Sequence, residues 1–324
     1  MAEQALRQQL RLVDLASPEW FQSPQTSSLW LTGFRMALAE ESSFAGGPLN
    51  AELDGVMAWM IFGEMSYLDS GKLTSELDDT GALRLTAMVG GMKKTSPAAW
   101  LLLIAPLDVD GNPGDEENVR QQISAGAGIC AVLFGRNCIF ERVFDNVIKA
   151  DGTSTSGYSP VVQNPSVFAR PYLQSDRLDL LRRSGSALRS APSEERNRVR
   201  LSLHWHESAL RSDGVDAFLK SWIALEVLAM PDTTNIRPIN QALAEAYGES
   251  LDSATAKFQV GRLFGLRSRI VHAGEVVAIH QLIERYLHAI YSDLLCHRLG
   301  IPMETATDVM LRAHSGELEA LLRG

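Results

Sequence analysis

With 324 residues, 45% of them hydrophobic and 21% charged, the chain is long enough for two domains with sizeable cores and has an ordinary globular composition. Its formal net charge of -9 argues against a protein that coats nucleic acid by uniform backbone attraction, so any anion site must come from a local cluster. The three cysteines, Cys130, Cys138 and Cys296, match no metal-ligand spacing, and their odd count opposes a disulfide framework; reduced thiols and a cytoplasmic location are expected.

The first ten residues are polar and mildly amphipathic with no apolar h-region, and the longest apolar run, Trp100 to Pro106, is too short to span a bilayer. Neither export nor membrane contact is expected. Helices are predicted near 3–14, 28–41 and 50–66, strands at Leu83–Val89 and Trp100–Leu107, a helix at Glu116–Phe134 and a strand at Cys138–Ile148. Together they suggest a mixed α/β domain over 1–150, with a sensor or regulatory role. Gly90-Gly91 followed by Lys93-Lys94 reads either as an anion-holding turn or as a plain hairpin turn.

Residues 149–165 form the clearest loop, and Ser184 to Glu195 a second polar break, so 151–195 reads as a linker with a basic segment. Between Arg177 and Arg200 seven arginines face three acids, a local surplus of four positive charges. Arg196, Arg198 and Arg200 at its end are candidate RNA-binding residues, although a solvated charged linker explains such a run as well. Beyond it the pattern turns helical, at 197–211, 214–229, 236–247, 253–273, 276–298 and 303–322, giving an all-α domain over 196–324. The expected class is α+β.

Within 214–229, Phe218, Leu219, Trp222, Ile223, Leu225 and Leu228 recur at helical spacing, with Pro231 as a stop. Glu226 lies four residues after Trp222 and three after Ile223, so it projects from the apolar stripe, where a carboxylate needs a cationic partner or hydrogen bonds. Residues 267–274 read Arg-Ser-Arg-Ile-Val-His-Ala-Gly. An arginine offers a permanent cation with a planar fork of donors for phosphate, and a histidine moves protons near neutrality. At about 100° per residue, Arg267 and His272 point roughly 140° apart, whereas Arg269 and His272 share a face. A straight helix favours Arg269; a helix stopping at Gly274 lets Arg267 reach round the last turn to His272. The structural alternative is that all three cap a helix and anchor a polar network.

All seven histidines lie between 204 and 314, but His204 and His206 leave a helix on nearly opposite sides. Glu284 and His288, four apart, lack a third ligand and read as a surface pair. Neither a metal nor a cofactor is expected. No glycine-rich phosphate loop, His-Glu-x-x-His or Gly-x-Ser-x-Gly occurs.

Trp-Ile-Ala-Leu-Glu on one helix, followed some forty residues later by Leu-Arg-Ser-Arg-Ile-Val-His-Ala-Gly, resembles the HEPN superfamily, in particular its Apea-like branch, over residues 197 to 300. The resemblance implies a bundle of about four or five helices, often dimeric, that acts as a metal-independent endoribonuclease in prokaryotic defence or toxin systems. Arg267 and His272 match the catalytic arginine and histidine, with Glu226, Ser268 and Arg269 in support; Ser268 stands where many members carry Asn, Asp or His. The partners implied are an RNA substrate, a second copy of the chain, and a phage-derived or antitoxin component. Inactive members imply the alternative of a silent scaffold that binds RNA, a nucleotide or a protein.

Overall fold

The computed structural model describes residues 28–37, 49–61, 73–77, 83–89, 92–107, 113–135, 139–148, 154–157, 161–162, 175–230, 233–274 and 277–323. The chain is α+β: a strand-rich unit, Met1–Ser186, precedes a helical one, Ala187–Gly324.

In the first unit, β1 (Ser28–Ala37), β2 (Leu49–Leu53), β3 (Val56–Ile61), β4 (Leu73–Leu77), β5 (Leu83–Val89), β6 (Met92–Leu107), β7 (Ile139–Ile148), β8 (Ser154–Gly157) and β9 (Val161–Val162) pair antiparallel. The main order is β2-β3-β6-β1-β7-β8. The long β6 serves two groups of partners, β5 along its first half and then β1 and β3. The helix α1 (Pro113–Phe134) packs on β6, burying Val119, Ile123, Ile129, Leu133 and Phe134. The predicted strands at 83–89 and 100–107, the helix at 116–134 and the strand at 138–148 are thus present, apart from Cys138, which lies outside the described residues. Val89 pairs with Met92; the turn expected at Gly90-Gly91 lies outside the described residues.

The helices predicted at 28–41 and 50–66 are, where they are described, strands and one tight turn. In β1, Leu29, Trp30, Leu31, Thr32 and Phe34 are all buried, so both faces are covered and the period-2 signal disappears. β2 and β3 form a hairpin through Asp54-Gly55, with φ of 53° and 89°, the left-handed pair that favours Asp-Gly in two-residue turns. The predicted helix at 3–14 lies outside the described residues. The expected loop at 149–165 contains β8 and β9.

The predicted break at Ser184–Glu195 is mostly helix. α2 (Ser175–Ser190) and α3 (Ser193–Leu210) are separated only by Ala191 and Pro192. Gly185 is required in α2: a Cβ there would stand 2.0 Å from the Glu52 carbonyl oxygen, so helix and strand backbones touch. The helical unit continues through α4 (Gly214–Ala229), α5 (Arg237–Tyr247), α6 (Leu251–Phe258), α7 (Val260–Ala273), α8 (Gln281–Arg298) and α9 (Ala306–Arg323). The α4 bounds are those predicted. The single helix expected over 253–273 is divided at Gln259, whose φ of 49° no helix interior accepts. The helix expected from 276 starts at Gln281, where His280 Nδ1 accepts the Leu282 N–H as an N-cap.

Trp222, Phe218, Phe258, Tyr286 and Tyr291 fill the core of this unit. Asp293 of α8 is 1% exposed and accepts the Ala306 N–H (3.0 Å), the Thr307 N–H (2.8 Å), the Thr307 hydroxyl (2.6 Å) and the Tyr247 hydroxyl (2.5 Å). It caps α9 from another helix. Burial, and next the hydrogen bond to Asp293, push the Tyr247 phenol well above its ordinary range. No helix among the described residues is long and apolar enough to cross a membrane.

Candidate functional site

The site is built from α4 and α7 of the helical unit. Val260, Leu263 and Leu266 bury one side of α7 and fix its rotation, which brings Arg267 to the edge facing α4 and leaves His272 exposed in the last turn. Gly274 ends the helix in the left-handed region (φ 65°), its N–H donating to the Arg269 carbonyl. Arg267 reaches back round this terminus and places Nη1 3.2 Å from His272 Nε2. Angular phase alone favours Arg269, but the five-residue separation is bridged because the arginine side chain is long and the helix stops. Arg269 is exposed and contributes its backbone to the cap; Ser268 is half-buried.

Glu226 is 25% exposed and Arg267 24%, with Nη2 of Arg267 3.9 Å from Glu226 Oε1. The fully buried Trp222 donates its indole N–H to the same oxygen at 2.7 Å. Trp222, Glu226, Arg267 and His272 therefore form one chain of contacts from the core to the surface. Trp222 is a site residue that the apolar stripe concealed. Its four-residue spacing from Glu226 was the available signal, because a buried indole N–H needs an acceptor one turn away or nearby.

Because the guanidinium can only donate, the contact uses the lone pair of Nε2, with the ring proton on Nδ1. Nε2 therefore becomes available as a base only when the guanidinium turns from it to another acceptor such as a phosphate oxygen.

The other sequence candidates lie elsewhere. Arg198 is an ion-pair partner of Glu195, which also receives both the Nε and Nη2 donors of Arg298. The Arg298 hydrogen bond is the main reason that the Glu195 carboxyl sits below its usual range. Arg196 and Arg200 are half-buried on α3, while Arg182, Arg183 and Arg189 are exposed on α2. The expected surface pair of Glu284 and His288 is corrected. Glu284 is buried, and His288 stacks on the buried His206 (centroids 4.9 Å), which stacks in turn on Tyr291 (4.1 Å). These rings sit where α3 and α8 meet, because the two apolar helix faces carry them inward. Among the described residues no three His, Cys, Asp or Glu side chains are grouped to hold a metal ion. A separate open cavity of about 510 Å³ lies between α4, α5 and α8, floored by Leu228, Ala229, Pro238 and Leu294.

Comparison of the chain with protein-family models, with curated proteins and with solved structures finds no match in any of the three.

Proposed function

We propose that the helical unit is an endoribonuclease of a defence or toxin system, acting without a metal through Arg267 and His272. The observation that carries this reading is the 3.2 Å contact between Arg267 Nη1 and an exposed His272 Nε2 at a helix terminus. When a phosphate oxygen draws the Arg267 guanidinium off His272 Nε2, that nitrogen removes the proton from a ribose 2′-hydroxyl as its oxygen attacks the adjacent phosphorus. Arg267 stabilises the charge on the non-bridging oxygens, and the bond to the 5′-oxygen breaks to leave a 2′,3′-cyclic phosphate. The departing 5′-oxygen takes up a proton. One imidazole cannot be base on one side and acid on the other in the same step, so a second copy of the chain supplies the acid, and deoxyribose is no substrate.

Two measurements test the reading. Incubation of purified protein with total RNA in excess EDTA is expected to leave cleavage undiminished, since among the described residues no group of carboxylates is assembled as magnesium sites require. Loss of cleavage that magnesium restores overturns the mechanism. Light scattering at micromolar concentration is expected to give the mass of a dimer; a strict monomer with and without RNA removes the composite site. An intact RNA pool alongside retained RNA binding would instead favour the scaffold.

A further inference from the structure

A carboxylate facing an arginine normally closes to about 2.7–2.9 Å. Glu226 Oε1 stops at 3.9 Å from Arg267 Nη2, about 1 Å short, although both side chains are three-quarters buried. The same oxygen is held from the other side by the Trp222 indole at 2.7 Å. That indole is enclosed: Trp222 is 0% exposed and packs on Phe264, one turn before Arg267, with ring centroids 6.0 Å apart. Arg267 is thus attracted by Glu226 without being captured, and its Nη1 stays on His272.

We propose that Trp222 is a positioning residue for the Arg267/His272 site, its indole N–H holding Glu226 back from the guanidinium. This rests on the phosphodiester reading of the site. If the N–H is removed, Glu226 closes on Arg267 and draws the guanidinium away from His272 by about 1 Å, a misplacement that can cost about 100-fold in rate. A tryptophan that merely fills the core has a different signature. Its loss adds to other losses instead of being relieved by them.

The experiment compares wild type, Trp222→Phe, Glu226→Gln and the double variant. Phenylalanine keeps an aromatic ring against Phe264 and lacks the donor; glutamine keeps an oxygen for Trp222 and lacks the charge that would capture Arg267. Trp222→Phe is expected to cut RNA cleavage by roughly 10- to 100-fold. The double variant is expected to recover to the level of Glu226→Gln, because the captor is gone. In parallel, ¹⁵N spectra of the histidine rings at about pH 8.5, where an ordinary imidazole is neutral, read the contact directly. Nε2 of His272 is expected to carry the shift of a hydrogen-bonded acceptor in wild type and Glu226→Gln, and to lose it in Trp222→Phe. A double variant whose loss equals the product of the two single losses overturns the proposal, as does an unchanged His272 spectrum in Trp222→Phe. Should Trp222→Phe fail to fold, loss of the Nε2 signature in Glu226→Gln overturns the proposal and its retention supports it. Should wild type itself leave RNA intact, the nuclease reading fails, while the ring spectra still decide the positioning role.

Discussion

Replacing His272 with alanine is expected to lower RNA cleavage by about 10²- to 10⁴-fold, the usual range for a lost general acid or base, with no loss of thermal stability. His272 is exposed in the last turn of α7, so its truncation opens no cavity. Growth and total RNA integrity in cells expressing each form, read beside a melting curve, provide the check; equal RNA damage by both forms removes His272 from the chemistry. The arginines are separated by the same assay. Arg267→Lys keeps the charge but loses the fork that spans Glu226 and His272, and is expected to lose most activity. Arg269→Lys is expected to be mild. An inactive Arg269→Lys beside an active Arg267→Lys, both folded, reverses the assignment.

Asp293→Ala is expected to destabilise the helical unit by about 4 kcal/mol, because four donors from two other helices converge on that buried carboxylate and each orphaned donor costs about 1–3 kcal/mol before relaxation. A fall in Tm of roughly 10 °C should follow by circular dichroism, with amide exchange accelerating first in α9. Asp293→Asn is expected to fall between, since its NH₂ group turns a donor toward other donors. Tyr247→Phe, which removes only the hydroxyl and leaves the other three donors on Asp293, should cost about 1 kcal/mol. An Asp293→Ala protein as stable as wild type would show that α9 is held by its apolar contacts alone.

The helical unit was legible because its helices carry one-sided apolar stripes. Phe218, Trp222, Leu225 and Leu228 in α4 announced both the element and its limits. The sheet was less so. β1 is covered on both faces, so its continuous apolar run imitates a buried helix, and only the Asp54-Gly55 turn could have betrayed the hairpin that follows. The break at Gln259 left no trace, since a non-glycine residue in the left-handed region carries no local signature. At the site, residue chemistry and the Gly274 stop made Arg267 and His272 visible. The tertiary hold on Glu226 was not, because a tryptophan in an apolar stripe looks like core, and core is also what it is.

The turn that presents His272 is closed at its end by one hydrogen bond, from the Gly274 N–H to the Arg269 carbonyl. Such a bond contributes about 1 kcal/mol net, so roughly one molecule in six has this terminus frayed at room temperature. The side chain opposite Arg267 is therefore subject to a local opening equilibrium far shallower than global unfolding. Warming changes how often the pair is assembled while the bundle beneath it stays folded.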